Sequence, residues 1–520
     1  MGKYLGMDLS TQSLSAVILD SETSEIIYEQ SVSFGKDMPE YNSPEGFLLN
    51  DNPLVCHSNP LMWAKSFDLL FSKMKNDGVN MYELTCISGS GQQHGSVYMN
   101  NRSLNPSNWY SGNSLDEIIS PMLSRKSSPI WMDSSTSLEC EEIAKFAGGA
   151  CVVREKSGSI PVERFSGPQI RKFFKRSPEA YDNTSVIHLV SSFAASILAG
   201  KNVPIDIADA SGMNLLNIAD ASWDQLLLDA TAPGLQSKLL QPVSSDSSAG
   251  RISPYFVRKY GFNPECRLNV WSGDNPNSLI GMGGFEKGTA VISLGTSDTF
   301  MASFESPVTD PEGFGHAFCN PDGGYMCLIC FKNGSLAREK VKDEFTLSLK
   351  EFDEIVENYQ SVNSENITIP FYVPEITPLL LEPAVLYTGD DDFVRRSSPE
   401  KGVRSIVDSQ LINMKIHSAW IKTPLKKIRI TGGASNSDGI CQAAADIFQV
   451  EVERFQIANS AGVGAAFRAL NFAEGIPLKE AMSSFMDAGG KSVFIPDTAQ
   501  KMNSAKLEAA FRNSLASLMN

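Results

Sequence analysis

The chain has 520 residues, 42% of them hydrophobic and 20% charged, with a formal net charge of −16. That length exceeds what one hydrophobic core organises, so two domains are expected. The shortage of Lys and Arg excludes general binding to nucleic acid or to an anionic membrane, because phosphate charge would go unneutralised.

No apolar run reaches the roughly eighteen residues of a membrane-spanning helix. Strand-like sequence follows the first residues at once, so no signal peptide is expected. Nine scattered cysteines suggest no disulfide framework, and a reducing, cytoplasmic setting is the expectation. The C-x-x-C of Cys327 and Cys330 lies within the apolar run YMCLICF and reads as buried strand.

In chain order, YLGM and SLSAVIL read as two strands joined by the turn DLSTQ, and residues 26–34 as a third. A helix from Met62 places Trp63, Phe67, Leu70, Phe71 and Met74 on one face. The strand LTCI, the glycine-rich turn SGSGQQHG and the strand SVYM follow. Residues 104–129 read as loop with short helical pieces, and helices are expected over 137–147, 168–177 and 186–199. Around Ser272, VWSGDNPNSLIGMG reads as a strand, a turn and a small-residue helix. AVISLGTSDTFMASF then repeats the opening pattern, two apolar runs broken by Gly295-Thr296-Ser297.

This recurrence predicts two halves of related architecture, divided near Met282, giving domains 1–282 and 283–520. Residues 383–402 read as a solvated loop. In IRITGGASNSDGICQAAADIF a strand meets Gly432-Gly433, with Ser435 or Asn436 as helix N-cap. A glycine pair at such a junction lets a ligand approach the backbone amides.

The usual nucleotide signatures are absent. There is no G-x-x-x-x-G-K-[ST], and SGSGQQHG departs from the dinucleotide fingerprint at His94. No zinc spacing occurs either. Triphosphate can instead lie between two hydroxyl-rich hairpins, whose amides and hydroxyls donate while an Asp holds magnesium. DLSTQS and GTSDT fit those hairpins, and TGGASN fits the adenosine end.

These motifs, with SGSGQQHGSVY, PIWMDSST, VERFSGPQI and SGDNPNSLIGMG, make the chain resemble the FGGY family of carbohydrate kinases over roughly residues 4–470. The resemblance implies an α/β fold of two actin-like, ribonuclease-H-like domains with a cleft between them. GQQHGS, VSSFAAS, IDIADASGMNLLNI and CFKNGSLAREK are similar to the longer, eukaryote-type branch whose sugar is the ketopentose D-xylulose. The implied reaction passes the γ-phosphoryl of ATP, with Mg2+, to the terminal hydroxyl of that sugar. Beyond sugar and ATP no partner is expected, neither nucleic acid nor membrane, in a monomer or homodimer.

The resemblance also implies roles. Asp274 matches the catalytic base and a sugar ligand, and Asn275, His94 and Arg164 match further sugar ligands. Asp8 would meet the magnesium, and Thr11 and Gln12 the transferred phosphate. Gly295 and Thr296 match the second phosphate hairpin, and Gly432, Gly433 and Asn436 the adenosine site. Where the branch places an aromatic platform near adenine, this chain offers Leu349.

From the residues alone other roles stay open. Asp274 could cap the helix after it, His94 could be a satisfied loop histidine, and Arg164 could form a surface ion pair. Ser10 and Thr299 could only brace their hairpins. At the level of the whole chain, a kinase for ribulose or a deoxy-xylulose is the alternative. From another class, a non-catalytic ATP-dependent clamp or a sugar-binding regulator is open.

Overall fold

The computed structural model describes residues 2–359, 366–455, 457–488 and 492–519. The opening strands are β1 (Lys3–Leu9), β2 (Ser13–Asp20) and β3 (Glu25–Ser33), and the first long helix is α1 (Pro60–Asn76). The predicted face of α1, from Trp63 to Met74, is wholly buried.

β4 (Leu84–Gly91) runs through the residues read as the start of a glycine-rich turn, which therefore begins only at Gln92. After β5 (Ser96–Met99) come α2 (Ser137–Ala147) and α3 (Ser166–Arg176). The helix expected over 186–199 divides into strand β6 (Val186–Leu189) and α4 (Val190–Ala199), because β6 pairs with β5. Next are β7 (Arg267–Asn269), β8 (Ser272–Gly273) and α5 (Asp274–Gly281), with no turn between the last two.

The second half opens with β9 (Thr289–Leu294) and β10 (Asp298–Phe304), followed by α6 (Ser335–Glu344) and α7 (Leu349–Asn358). The stretch 383–402 is not a loop. It holds β11 (Ala384–Thr388), a short helix Asp391–Val394 and the start of α8 (Pro399–His417). β12 (Lys427–Thr431) leads through a 3-10 turn into α9 (Asp438–Phe448), whose N-cap is Ser437 rather than Ser435 or Asn436. β13 (Glu451–Arg454), α10 (Ser460–Glu474) and β14 (Ser492–Phe494) follow.

Two compact units result. The first comprises 1–285, 317–325 and 458–488, so α10 joins it from far beyond the 282/283 division. Its seven-stranded sheet runs Ser248–Arg251, β7, β4, β1, β2, β3, with β8 also on β4. β1 pairs antiparallel with β2 and parallel with β4. In the second unit β9 likewise pairs antiparallel with β10 and parallel with β12, which continues to β13 and β14. The expected repetition is thus present in the sheets: a hairpin whose first strand is followed by a parallel neighbour.

α10, from the sequence SAGVGAAF, lies against both β1 and α5. The approach is so close that a methyl group on Gly281 would strike the Ser460 carbonyl, and one on Gly464 the Asn277 carbonyl. Small residues here let two backbones meet where ordinary side chains would hold them apart. Buried Arg468 of α10 then reaches Asn277 Oδ1 at 3.0 Å and the carbonyls of Ser245 and Val270. No helix among the described residues is long and apolar enough to cross a membrane.

Candidate active site

Strand register gathers the candidate residues of the first unit. β1, β4 and β8 are parallel, with Asp8 opposite Ser90 and Gly91 opposite Gly273. Asp8 therefore lies near the carboxyl end of β1, and Asp274 directly follows β8 on the other side of β4. Ligands of parallel sheets collect at that end.

Ser90 Oγ donates to Asp8 Oδ1 at 2.6 Å. Burial pushes the Asp8 carboxyl up to about 7, Ser90 opposes this, and the negative charge of Asp274 adds to it. Asp274 is pushed up to about 6 by burial, against hydrogen bonds from the amides of Asn275 (2.8 Å) and Gln93 (3.3 Å). Asp274 is the first helical residue of α5, and Gly273 is the N-cap. The capping alternative therefore does not match its place in the helix.

His94 follows β4 with φ of +70° and is buried. Its Nδ1 lies 2.8 Å from the Gly212 carbonyl, which fixes the proton on that nitrogen and leaves Nε2 as an acceptor. The ring stacks on Phe165 at 4.2 Å between centroids. Burial, with the nearby charge of Arg164, lowers its basicity to a value of about 3, so the imidazole is neutral. The guanidinium of Arg164 lies over the same Phe165 ring, 5.7 Å from its centre. Asn275 Nδ2 donates to Gln93 Oε1 at 2.8 Å and to Asp274 Oδ1 at 3.2 Å. His94, Arg164, Asp274 and Asn275 thus gather around the Gln92–His94 turn.

At the β1–β2 turn, Thr11 Oγ1 donates to Gln92 Oε1 at 3.3 Å and accepts from Trp131 Nε1 at 2.8 Å. Gln12 is exposed and donates to Glu45 at 2.9 Å. A hollow of about 480 Å³ opens beside Asp8, bordered by Ser13, Ser15 and Asn459. Among the described residues no three His, Cys, Asp or Glu side chains converge as a metal cage. A lone carboxylate with one hydroxyl partner suits Mg2+, which keeps waters and takes phosphate oxygens.

The second unit carries the other hairpin. Gly295 and Thr296 lie between β9 and β10, and Asp298 Oδ1 accepts from the Gly295 amide at 3.1 Å. Buried Arg338 of α6 grips Asp298 at 2.8 and 3.1 Å and Gln410 at 2.9 Å. Gly295, Thr296, Gly433 and Asn436 share a largely apolar pocket of about 460 Å³. Leu349, Phe352 and Ile440 form its apolar wall. Gly432 stands beneath, at φ +92°, where a side chain would strike the Leu294 backbone.

Sequence reasoning left Gln93, Asp209 and Trp131 without roles, although each lies in a motif it quoted. For Gln93 and Asp209 the signal is a buried polar side chain, and for half-exposed Trp131 its bond to Thr11, each visible only once partners are known. It also left residues 342–366 unassigned around adenine; Lys342, Leu349, Phe352 and Asp353 line the pocket, while 360–365 lie outside the described residues.

Residues 3–281 match the N-terminal domain, and residues 290–471 the C-terminal domain, of the FGGY family of carbohydrate kinases. The chain belongs to that family. It is 41% identical over 484 residues to a xylulose kinase of Rattus norvegicus, covering 90% of this chain and 88% of that one. It is 38% identical over 489 residues to xylulose kinase 2 of Arabidopsis thaliana, covering 90% and 86%. The crystal structure of a xylulose kinase from Rhodospirillum rubrum superposes with a TM-score of 0.82 at 14% identity, covering 99% of both chains.

Proposed function

We propose that this protein transfers the γ-phosphoryl group of ATP to the terminal hydroxyl of D-xylulose, yielding D-xylulose 5-phosphate. The observation that carries the reading is the meeting of Asp274 with Gln93, His94 and Asn275 at the carboxyl ends of parallel strands. The names of relatives about 40% identical over most of the chain support the choice of sugar.

In this reading neutral His94 accepts a sugar hydroxyl at Nε2, and Asn275 and Arg164 donate to others. Asp274 orients the attacking hydroxyl and takes its proton, a task suited to a carboxyl titrating close to neutrality. Thr11 and the Gly295–Thr296 hairpin donate to phosphate oxygens, with Gln12 turning from Glu45 to join them. The apolar wall of Leu349, Phe352 and Ile440 packs on adenine, beside Gly433 and Asn436. Asp8 would hold Mg2+, which when bound neutralises charge on the phosphates. The working site is cytoplasmic.

The test is ADP release from ATP with a panel of ketoses, aldoses and glycerol. D-xylulose should give the highest kcat/KM; a higher value for glycerol or any aldose overturns the assignment.

A further inference from the structure

Behind the Gln93–Asn275 pair lie two buried polar atoms of complementary kind. Gln93 is 2% exposed and Asp209 1%. Gln93 Nε2 and Asp209 Oδ1 each have no hydrogen-bond partner among the described residues. Such a donor and acceptor are costly apart and compensate one another if joined.

Their neighbourhood is fixed by three glycine and amide contacts. A methyl group on Gly273 would overlap the Gln93 side chain, with Gln93 Cδ at 3.0 Å and Asp209 Oδ1 at 2.9 Å from the same point. A methyl on Gly212 would stand 3.6 Å from Gln93 Nε2 and 3.2 Å from His94 Nδ1. The orientation of the Gln93 amide also follows. Asp274 draws the Asn275 NH2 toward its carboxylate, and that same NH2 demands the Gln93 oxygen. Gln93 must therefore turn its own NH2 the other way. The second oxygen of Asp209 is held by Ser191 Oγ, so only Oδ1 remains for it.

We propose that Asp209 is a positioning residue: when the sugar is bound its Oδ1 accepts from Gln93 Nε2, completing a relay from Ser191 through Asp209, Gln93 and Asn275 to Asp274. The relay fixes the Gln93 carbonyl, and the carbonyl fixes Asn275 against the sugar. Asp209 touches neither substrate nor reacting atoms. Burial holds its carboxyl well above the usual range, against the hydrogen bond from Ser191. The inference rests on the kinase reading of this site.

The test compares Asp209→Leu, which cannot accept, with Asp209→Asn, which can accept at Oδ1 while donating to Ser191. Breaking one buried hydrogen bond should raise KM for D-xylulose about tenfold in Asp209→Leu, leaving KM for ATP within about twofold. Asp209→Asn should stay within about threefold of the parent, and Asp209→Leu should add less than about twofold on a Gln93→Met background. Equal defects in the Leu and Asn variants, an unchanged sugar KM, or an equal rise in both KM values overturns the proposal. Should Asp209→Leu not fold, a crystal structure of the parent with D-xylulose bound decides: Gln93 Nε2 within hydrogen-bonding reach of Asp209 supports the relay, and a longer separation overturns it. A parent inactive on every ketose would instead defeat the kinase reading, and the crystallographic distance would still judge the relay.

Discussion

Asp8 and Asp274 flank the same strand, β4, one through its register partner Ser90 and the other through the Gly91–Gly273 pair. Among the described residues neither carboxylate has a cationic side chain as a hydrogen-bonding partner; burial raises both, and the charge of Asp274 adds to the rise at Asp8. Ordinary interiors avoid this arrangement, and a site that handles a cation and a proton requires it.

Asp274→Asn should fold, keep sugar binding within a few-fold, and lower kcat by about a hundred- to ten-thousand-fold, the usual contribution of a general base. Single-turnover phosphorylation with calorimetric sugar binding measures both. A kcat within a few-fold of the parent removes Asp274 from its role.

In the proposed role Asp274 must be ionised to act as base, so kcat/KM for the sugar should fall as pH drops through about 6, where burial places it. The sign for stability is the reverse of the common carboxylate case. A folded pKa above the unfolded value means the native state binds the extra proton, so this group's contribution is present below about pH 4 and lost as pH rises to about 6. Asp274→Asn should therefore melt higher than the parent at pH 7.5 without metal, and the gap should close near pH 4. A gap that widens on acidification contradicts the burial argument.

Asp8→Asn should raise the Mg2+ concentration for half-maximal activity by about tenfold or more, the order of effect seen on perturbing metal ligation. The dissociation constant of metal-free ATP should stay near that of the parent. An unchanged Mg2+ requirement would place the metal elsewhere.

Arg338→Met leaves Asp298 buried without its partner beneath the Gly295 hairpin. The expected loss is about 3–5 kcal/mol of stability in urea unfolding of the second unit. KM for ATP should rise while KM for the sugar does not.

Leu349 is 68% exposed on the wall of the nucleotide pocket. Leu349→Trp offers a stacking face to adenine, and base stacking of about 1–3 kcal/mol predicts a fall in KM for ATP of fivefold or more. No change would indicate that adenine lies against Phe352 or Ile440 instead.

Both hairpins were readable because apolar runs stop abruptly at Asp8-Leu9-Ser10 and at Leu294-Gly295-Thr296, a contrast that needs no tertiary knowledge. The helical face of α1 was readable for the same reason. VIHLVSSF was not, since a continuous apolar run suits a buried strand and a helix equally, and only pairing with β5 divides it at Leu189. The Asp390–Asp392 run looked solvated, yet Asp390 caps the helix that buries Phe393. Asp209 was hidden because its meaning depends on Gln93, more than a hundred positions earlier. Sequence spacing carries local geometry well and such distant complementarity poorly.

The return of α10 to the first unit has a consequence for synthesis. Every residue proposed to meet the sugar has been synthesised by Asn275, yet the helix that Asp274 begins lacks its packing surface until Ser460–Glu474 emerges. Until then the backbones at Gly281 and Asn277 lie uncovered, and Arg468 is not there to tie Asn277 in place. A nascent or truncated chain ending before Ala458 would hold the proposed sugar-side residues in its sequence without the brace that sets them, so Asp274 is made early and fixed in place late.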